Sequence, residues 1–111
     1  MQPNSVVHAA ALDLVHAPVP ADQAVDGSPA TATTAFGDYD GIEVGVWEMT
    51  EGGMRDVEVN ELFVVVSGSA TVEFADGSPA LRLGPGDVVR LASGTETVWT
   101  VTETLRKVYL T

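Results

Sequence analysis

The sequence contains no cysteine, which excludes disulfide bonds and thiolate metal sites and leaves the redox compartment unread. Basic residues are scarce. Arg55, Arg82, Arg90, Arg106 and Lys107 stand against 16 acidic residues, for a formal net charge of -11. A chain so acidic repels polyanions, so nucleic acid and anionic membrane surfaces are not expected partners. The acidity reads as a solubility feature rather than a recognition surface. Only two histidines occur, His8 and His16. No apolar run approaches the ~20 residues of a membrane span. Met1 to Pro20 lacks a positive n-region and a clear apolar h-region, so it does not read as a signal peptide, and a cytoplasmic location is the default expectation.

What is present fits one domain of 111 residues. The text changes near Phe36. Before it, Ala, Pro, Thr and Asp dominate, and residues 1–35 are expected to form an irregular N-terminal arm. Within the arm, Ser5 to Val15 could be a strand or a brief helix. Residues 36–111 read as strands separated by turns. Ile42 to Met49 alternates with the period of a half-buried strand, and Gly52-Gly53 is expected to break it. Leu62 to Val66 is a β-branched and aromatic run expected to be buried on both faces. Ser67-Gly68-Ser69 is expected to turn the chain before a strand over Ala70 to Phe74. Asp76-Gly77 then reads as a hairpin turn leading to Ala80–Leu83. Gly84-Pro85-Gly86-Asp87 is another turn. Val88–Leu91, Thr97–Val101 and Arg106–Leu110 complete the series. About seven or eight short strands at this spacing predict an all-β sandwich or barrel.

Several pieces of the second half fit one known pattern. They are Gly45-Val46-Trp47-Glu48, Asn60 to Gly68, Leu83 to Val89, Trp99 and Arg106 to Tyr109, with six residues between Glu61 and Gly68. From about Gly41 to Tyr109 the chain resembles a cupin. Within that superfamily it is most similar to the small cupins grouped with ureidoglycine aminohydrolase and the ethanolamine-utilisation cupin. The resemblance implies a jelly-roll barrel, or double-stranded β-helix, with alternate side chains pointing inward. It also implies a homodimer. Unpaired strand edges of an open jelly roll call independently for a covering arm or a second subunit.

In metal-binding cupins two inward histidines, a following glutamate and a third histidine hold the ion. Here the histidine pair should fall at Met54 and Asp56, or at Arg55 and Val57, and the third histidine at Thr97. Only Glu61 remains of the four ligand positions. The ligand spacing of ureidoglycine aminohydrolase is not reproduced either, so that activity is not carried over. No metal or other cofactor is expected. The weaker alternative is a divalent transition metal bound by Glu61 with His8 or His16 brought in by the arm.

Glu61 is the candidate acid or base. An isolated inward carboxyl among apolar walls would titrate near neutrality. The alternative is a structural pairing with Arg55 or Arg90. Trp47, Phe63, Thr97 and Trp99 are the candidate lining of a ligand site, against the plainer reading that they fill the core. Phe63 and Val65 share the parity of Glu61, and Trp99 that of Thr97. Arg55 could bind a substrate carboxylate, against the plainer reading of a surface ion pair. Tyr39 and Tyr109 each carry a phenol, with nothing to choose between them. No nucleophile triad or phosphate-cradling loop is present.

Two functions follow. The first is a metal-free barrel that binds a small organic metabolite in its interior, with Glu61, Trp47, Phe63, Thr97, Trp99 and Arg55 as binding residues. The second is a metal-independent isomerase, lyase or hydrolase using Glu61 as its acid or base. Binding ranks first, because spacing argues for only one inward ionisable residue.

Overall fold

The computed structural model describes all 111 residues. It contains nine strands: β1 (Ala17–Pro18), β2 (Ala24–Asp26), β3 (Ala30–Tyr39), β4 (Ile42–Met49), β5 (Gly52–Val57), β6 (Glu61–Phe74), β7 (Leu81–Leu83), β8 (Val88–Leu91) and β9 (Glu96–Leu110). A single 3₁₀ turn, Ala9–Ala11, is the only helical element. Every strand pairing is antiparallel. This is the all-β jelly roll that the sequence implies.

Two long bent strands organise the sheet. One half of β9, Leu105–Leu110, lies between β4 and the start of β6. The other half, Glu96–Val101, lies between β5 and the end of β6. Strands β8 and β7 pair with the two ends of β6 on its far edge. The halves curl towards each other and enclose a core that includes Phe63, Val65, Val72, Trp99, Val101 and Leu105.

The bend sits where the sequence suggested a turn. Ser67-Gly68-Ser69 does not reverse the chain. It is a run of register shifts inside β6. Gly68 has φ +88°, and a Cβ there would lie 2.0 Å from the Thr104 carbonyl oxygen. Only glycine tolerates both the conformation and the close approach, so this corner bends the strand without ending it. Gly52-Gly53 likewise begins β5, pairing with Val101 and Thr100, instead of ending β4 alone.

The arm is less irregular than its composition suggests. It supplies β1, β2 and the first six residues of β3, so residue 36 falls inside a strand. Strand β2 extends the sheet beside β5, and Val19 is buried in the core. The β3–β4 hairpin closes at Asp40-Gly41, with φ of 52° and 80°. Positive φ at both central residues is the geometry of a type I′ turn, which suits the right-handed twist of paired strands. The Leu62–Val66 run is not buried on both faces. Phe63 and Val65 point into the core, while Leu62 is exposed and Val64 and Val66 are half-buried. No helix is long and apolar enough to cross a membrane.

Candidate functional site

Side-chain alternation fixes which groups enter the barrel. Glu61 begins β6 on the face of Phe63 and Val65, and all three are buried. It is not alone there. Lys107, on the inward face of β9, places Nζ 3.0 Å from Glu61 Oε1 and 3.2 Å from Oε2. The alternative reading of a structural ion pair holds for Glu61, but its partner is Lys107 and not Arg55 or Arg90. Arg90 bonds on the exterior to the main-chain carbonyls of Leu91 and Glu61 and to Asn60.

The rest of the Lys107 ammonium faces aromatic rings. Nζ lies 4.1 Å from the Phe63 ring centroid, 4.6 Å from that of Trp47 and 5.1 Å from that of Trp99. A cation over the negative face of a ring is stabilised most where water is excluded. Burial pushes the Lys107 amine down, while Glu61, Glu58 and Asp56 oppose that shift. Trp47, Phe63 and Trp99 thus close around an ion pair, with Trp99 packed against both other rings; Phe63 and Trp99 are fully buried and Trp47 is half-buried.

A second acid, Glu58, also lies inside. It follows β5 on the parity of Met54 and Asp56, and the 94–95 loop anchors its backbone through Thr95 and Gly94. Its Oε2 accepts hydrogen bonds from Thr97 Oγ1 at 2.6 Å and Trp99 Nε1 at 3.1 Å. Thr97 and Trp99 are therefore both occupied by Glu58. Asp56, opposite Thr97 on β5, is half-buried. Burial pushes its carboxyl above the ordinary range, and the charges of Glu58 and Glu61 add to the shift. The premise of a lone inward acid fails: Asp56, Glu58, Glu61 and Lys107 form one polar cluster. The only sequence signals for Glu58 and Lys107 are weak: Glu58 continues the parity of Met54 and Asp56 beyond the end of β5, and Lys107 lies an even number of residues from Thr97 beside a second basic residue.

Open space begins at the barrel mouth. A groove of about 440 Å³ is lined by residues that include Asp22, Gln23, Arg55, Asp56, Glu96 and Thr97. Asp56 and Thr97 connect it to the interior cluster. Arg55 is exposed at its rim and forms no salt bridge, so the expected surface ion pair is absent.

The arm histidines do not reach Glu61. His16 Nε2 lies 2.6 Å from Glu48 Oε2, while Arg106 Nε donates to Glu48 Oε1 at 2.9 Å. Arg106 and Lys107 alternate on β9, so this cluster occupies the outer face. Arg106 Nη1 also donates to the Ala9 carbonyl, which fastens the arm. His8 is exposed. Tyr109 is buried and donates to Glu43 Oε2 at 3.0 Å. Burial and that acceptor push its phenol up to about 12. Tyr39 is 73% exposed, so the two phenols differ completely in setting.

The parity of β5 identifies Met54 and Asp56 as the inward pair at the histidine positions. With Glu61 and Thr97 the donor set is a thioether, two carboxylates and a hydroxyl. This set lacks every imidazole of the cupin cage, and an ammonium already holds both oxygens of Glu61. No group of three His, Cys, Asp or Glu side chains converges to hold an ion. These residues do not fit the metal of the histidine-bearing cupins.

Comparison with known proteins agrees with the fold. A family model described as EutQ-like cupin domain matches residues 36–109. The EutQ protein of Clostridium difficile is similar at 16% identity and TM-score 0.64, over 83% of this chain and 77% of that one. A putative ethanolamine utilization protein Q of Salmonella typhimurium is similar at 13% identity and TM-score 0.62, over 88% and 94%. A DUF861 family protein of unknown function from Pseudomonas syringae reaches TM-score 0.70 at 22% identity, over 90% of this chain and 44% of its own. At these identities the likeness concerns fold. No curated protein matches the chain.

Proposed function

We propose, for a chain that belongs to the EutQ-like cupin domain family, that it binds a small polar metabolite in the mouth groove without a metal ion. The observation that carries this reading is the groove itself. At about 440 Å³ it has the size of a ligand site, and it ends on Asp56 and Thr97, where the polar cluster meets solvent. The binding position moves from the barrel interior to its mouth, because aromatic packing fills the interior. Arg55 would orient an acidic or carbonyl group of the ligand from the rim. Asp56 and Thr97 would form the polar floor, with Glu61, Trp47, Phe63 and Trp99 as the rigid wall behind them.

A thermal-shift screen of metabolites tests the reading. A ligand at a hundred times its Kd stabilises a protein by about 2.7 kcal/mol. At least one compound should raise the unfolding temperature of the wild type, and Arg55→Ala and Asp56→Asn should each remove most of that rise. A rise that survives both substitutions places the ligand elsewhere.

One observation favours metal-independent proton transfer as a second reading. Asp56 combines a raised pKa with a position in the groove. In that case Asp56, rather than Glu61, would exchange the proton, and Glu61 would act through Lys107. Asp56→Asn should then lower turnover of a bound compound by about 100-fold or more, a loss too large for a binding contact alone.

We also propose a homodimer. Leu62 and Val88 are 40% and 64% exposed on the outer side of β6 and edge strand β8. An apolar patch beside an unpaired edge suits a second copy of the same surface. Val88→Glu should halve the mass seen in sedimentation; an unchanged mass rejects this interface.

A further inference from the structure

We infer that the Lys107 ammonium is the resident cation of this barrel, standing beside Glu61 in place of a divalent metal ion and excluding one. Glu61 is the one ligand position that the chain keeps, and it gives both carboxylate oxygens to Nζ. Lys107 is only 5% exposed. The charges of Glu58 and Asp56 add to the negative potential at Nζ. Phe63, Trp47 and Trp99 cover the remaining approach to Nζ.

The physical argument is one of charge and space. Two buried carboxylates, Glu58 and Glu61, with half-buried Asp56 beside them, repel one another and need a positive charge among them. A divalent ion could serve, but it would have to displace Nζ from Glu61 while lying a few ångströms from it. Two cations that close in a low-dielectric site repel strongly. Met54 and Thr97 supply no anionic donor to offset these costs.

Exclusion of a metal ion would then be a property of one side chain. Removing Lys107 should turn the same carboxylates into a divalent-cation site. Mn²⁺ is a suitable probe, because its solution EPR signal falls as the ion binds. Wild type and Lys107→Arg should leave that signal unchanged at equimolar Mn²⁺. Lys107→Ala should take up one equivalent, about tenfold or more tighter than wild type, the effect of roughly 1.4 kcal/mol. Adding Glu61→Gln to Lys107→Ala should abolish the gain.

Lys107→Gln, close in length and uncharged, is the second variant should the alanine form fail to fold. It should show the same gain in Mn²⁺ uptake. A purely structural lysine predicts something else: loss of stability in both neutral variants with no uptake in either. That result, or a Glu61-dependent equivalent of metal in the wild type, overturns the inference.

Discussion

Arg106 and Lys107 are neighbours on β9, and alternation sends them to opposite faces of one strand. Each is buried, and each meets a glutamate: Glu48 outside and Glu61 inside. The outer cation has several partners. Its guanidinium bonds Glu48 directly across the strand pair and also reaches the arm at Ala9, while His16 takes the second oxygen of Glu48. The inner cation has one hydrogen-bonding residue, Glu61, and three ring faces. The division follows side-chain chemistry. A guanidinium carries a planar fork of donors and can join several elements, whereas a compact ammonium suits one carboxylate and an aromatic wall. The outer cluster fastens a segment to the barrel, and the inner one closes a charge balance.

The sharpest way to break this symmetry is to remove the inner charge. Lys107→Met should lose about 3–5 kcal/mol in urea unfolding, because it leaves Glu61 buried without its partner. Combining it with Glu61→Leu should recover most of that loss; a double variant no more stable than the single one would falsify the pairing. Removal of the outer charge should cost less. Arg106→Leu should lose about 2 kcal/mol, since Glu48 keeps His16 and lies nearer to water. Its distinctive effect is on the arm, where limited proteolysis of residues 1–16 should accelerate before the barrel is cut.

A smaller effect separates the two clusters by pH. Burial pushes the Glu48 carboxyl up, but hydrogen bonds and charges from Arg106 and His16 outweigh it and hold the carboxyl below its ordinary value. The stability this provides is full above the ordinary glutamate range and is lost as pH falls through the lowered value. Amide exchange in the arm should therefore rise below about pH 4, near the usual glutamate pKa, and Glu48→Gln should remove that dependence. Asp56 has the opposite sign. Its raised pKa means that the ionised form strains the fold, so stability rises as pH falls through its folded value. Asp56→Asn should stabilise the protein at neutral pH by under about 1 kcal/mol, because solvent screens a half-exposed group.

Residues whose face follows from alternation are readable in the sequence. Glu61, Phe63, Val65, Thr97 and Trp99 all point inward as parity requires. Lys107 was obscured by its neighbour, since an Arg-Lys pair does not declare which member is inside. Glu58 lies just past the end of β5, where strand parity is seldom extended. The arm strands β1 and β2 are two and three residues long and pair through main-chain bonds, so Ala- and Pro-rich composition concealed them. The Asp40-Gly41 turn was a readable hairpin signal, and following it would have exposed β3. Ser67-Gly68-Ser69 misled because a glycine that bends a strand and one that ends it have the same local composition.

The order of residues alone determined a curled antiparallel sheet, a strongly acidic surface and the loss of the histidine cage. Alternation and turn chemistry act within a few residues, so they can be read directly. Only the folded chain decided which charge meets which. Lys107 and Glu61 are 46 residues apart, and the register of β9 against β6, with its bulged corner at Gly68, brings them to the same point. Such register is settled by the packing of the whole sheet, and a shift of one residue would have put Arg106 inside instead.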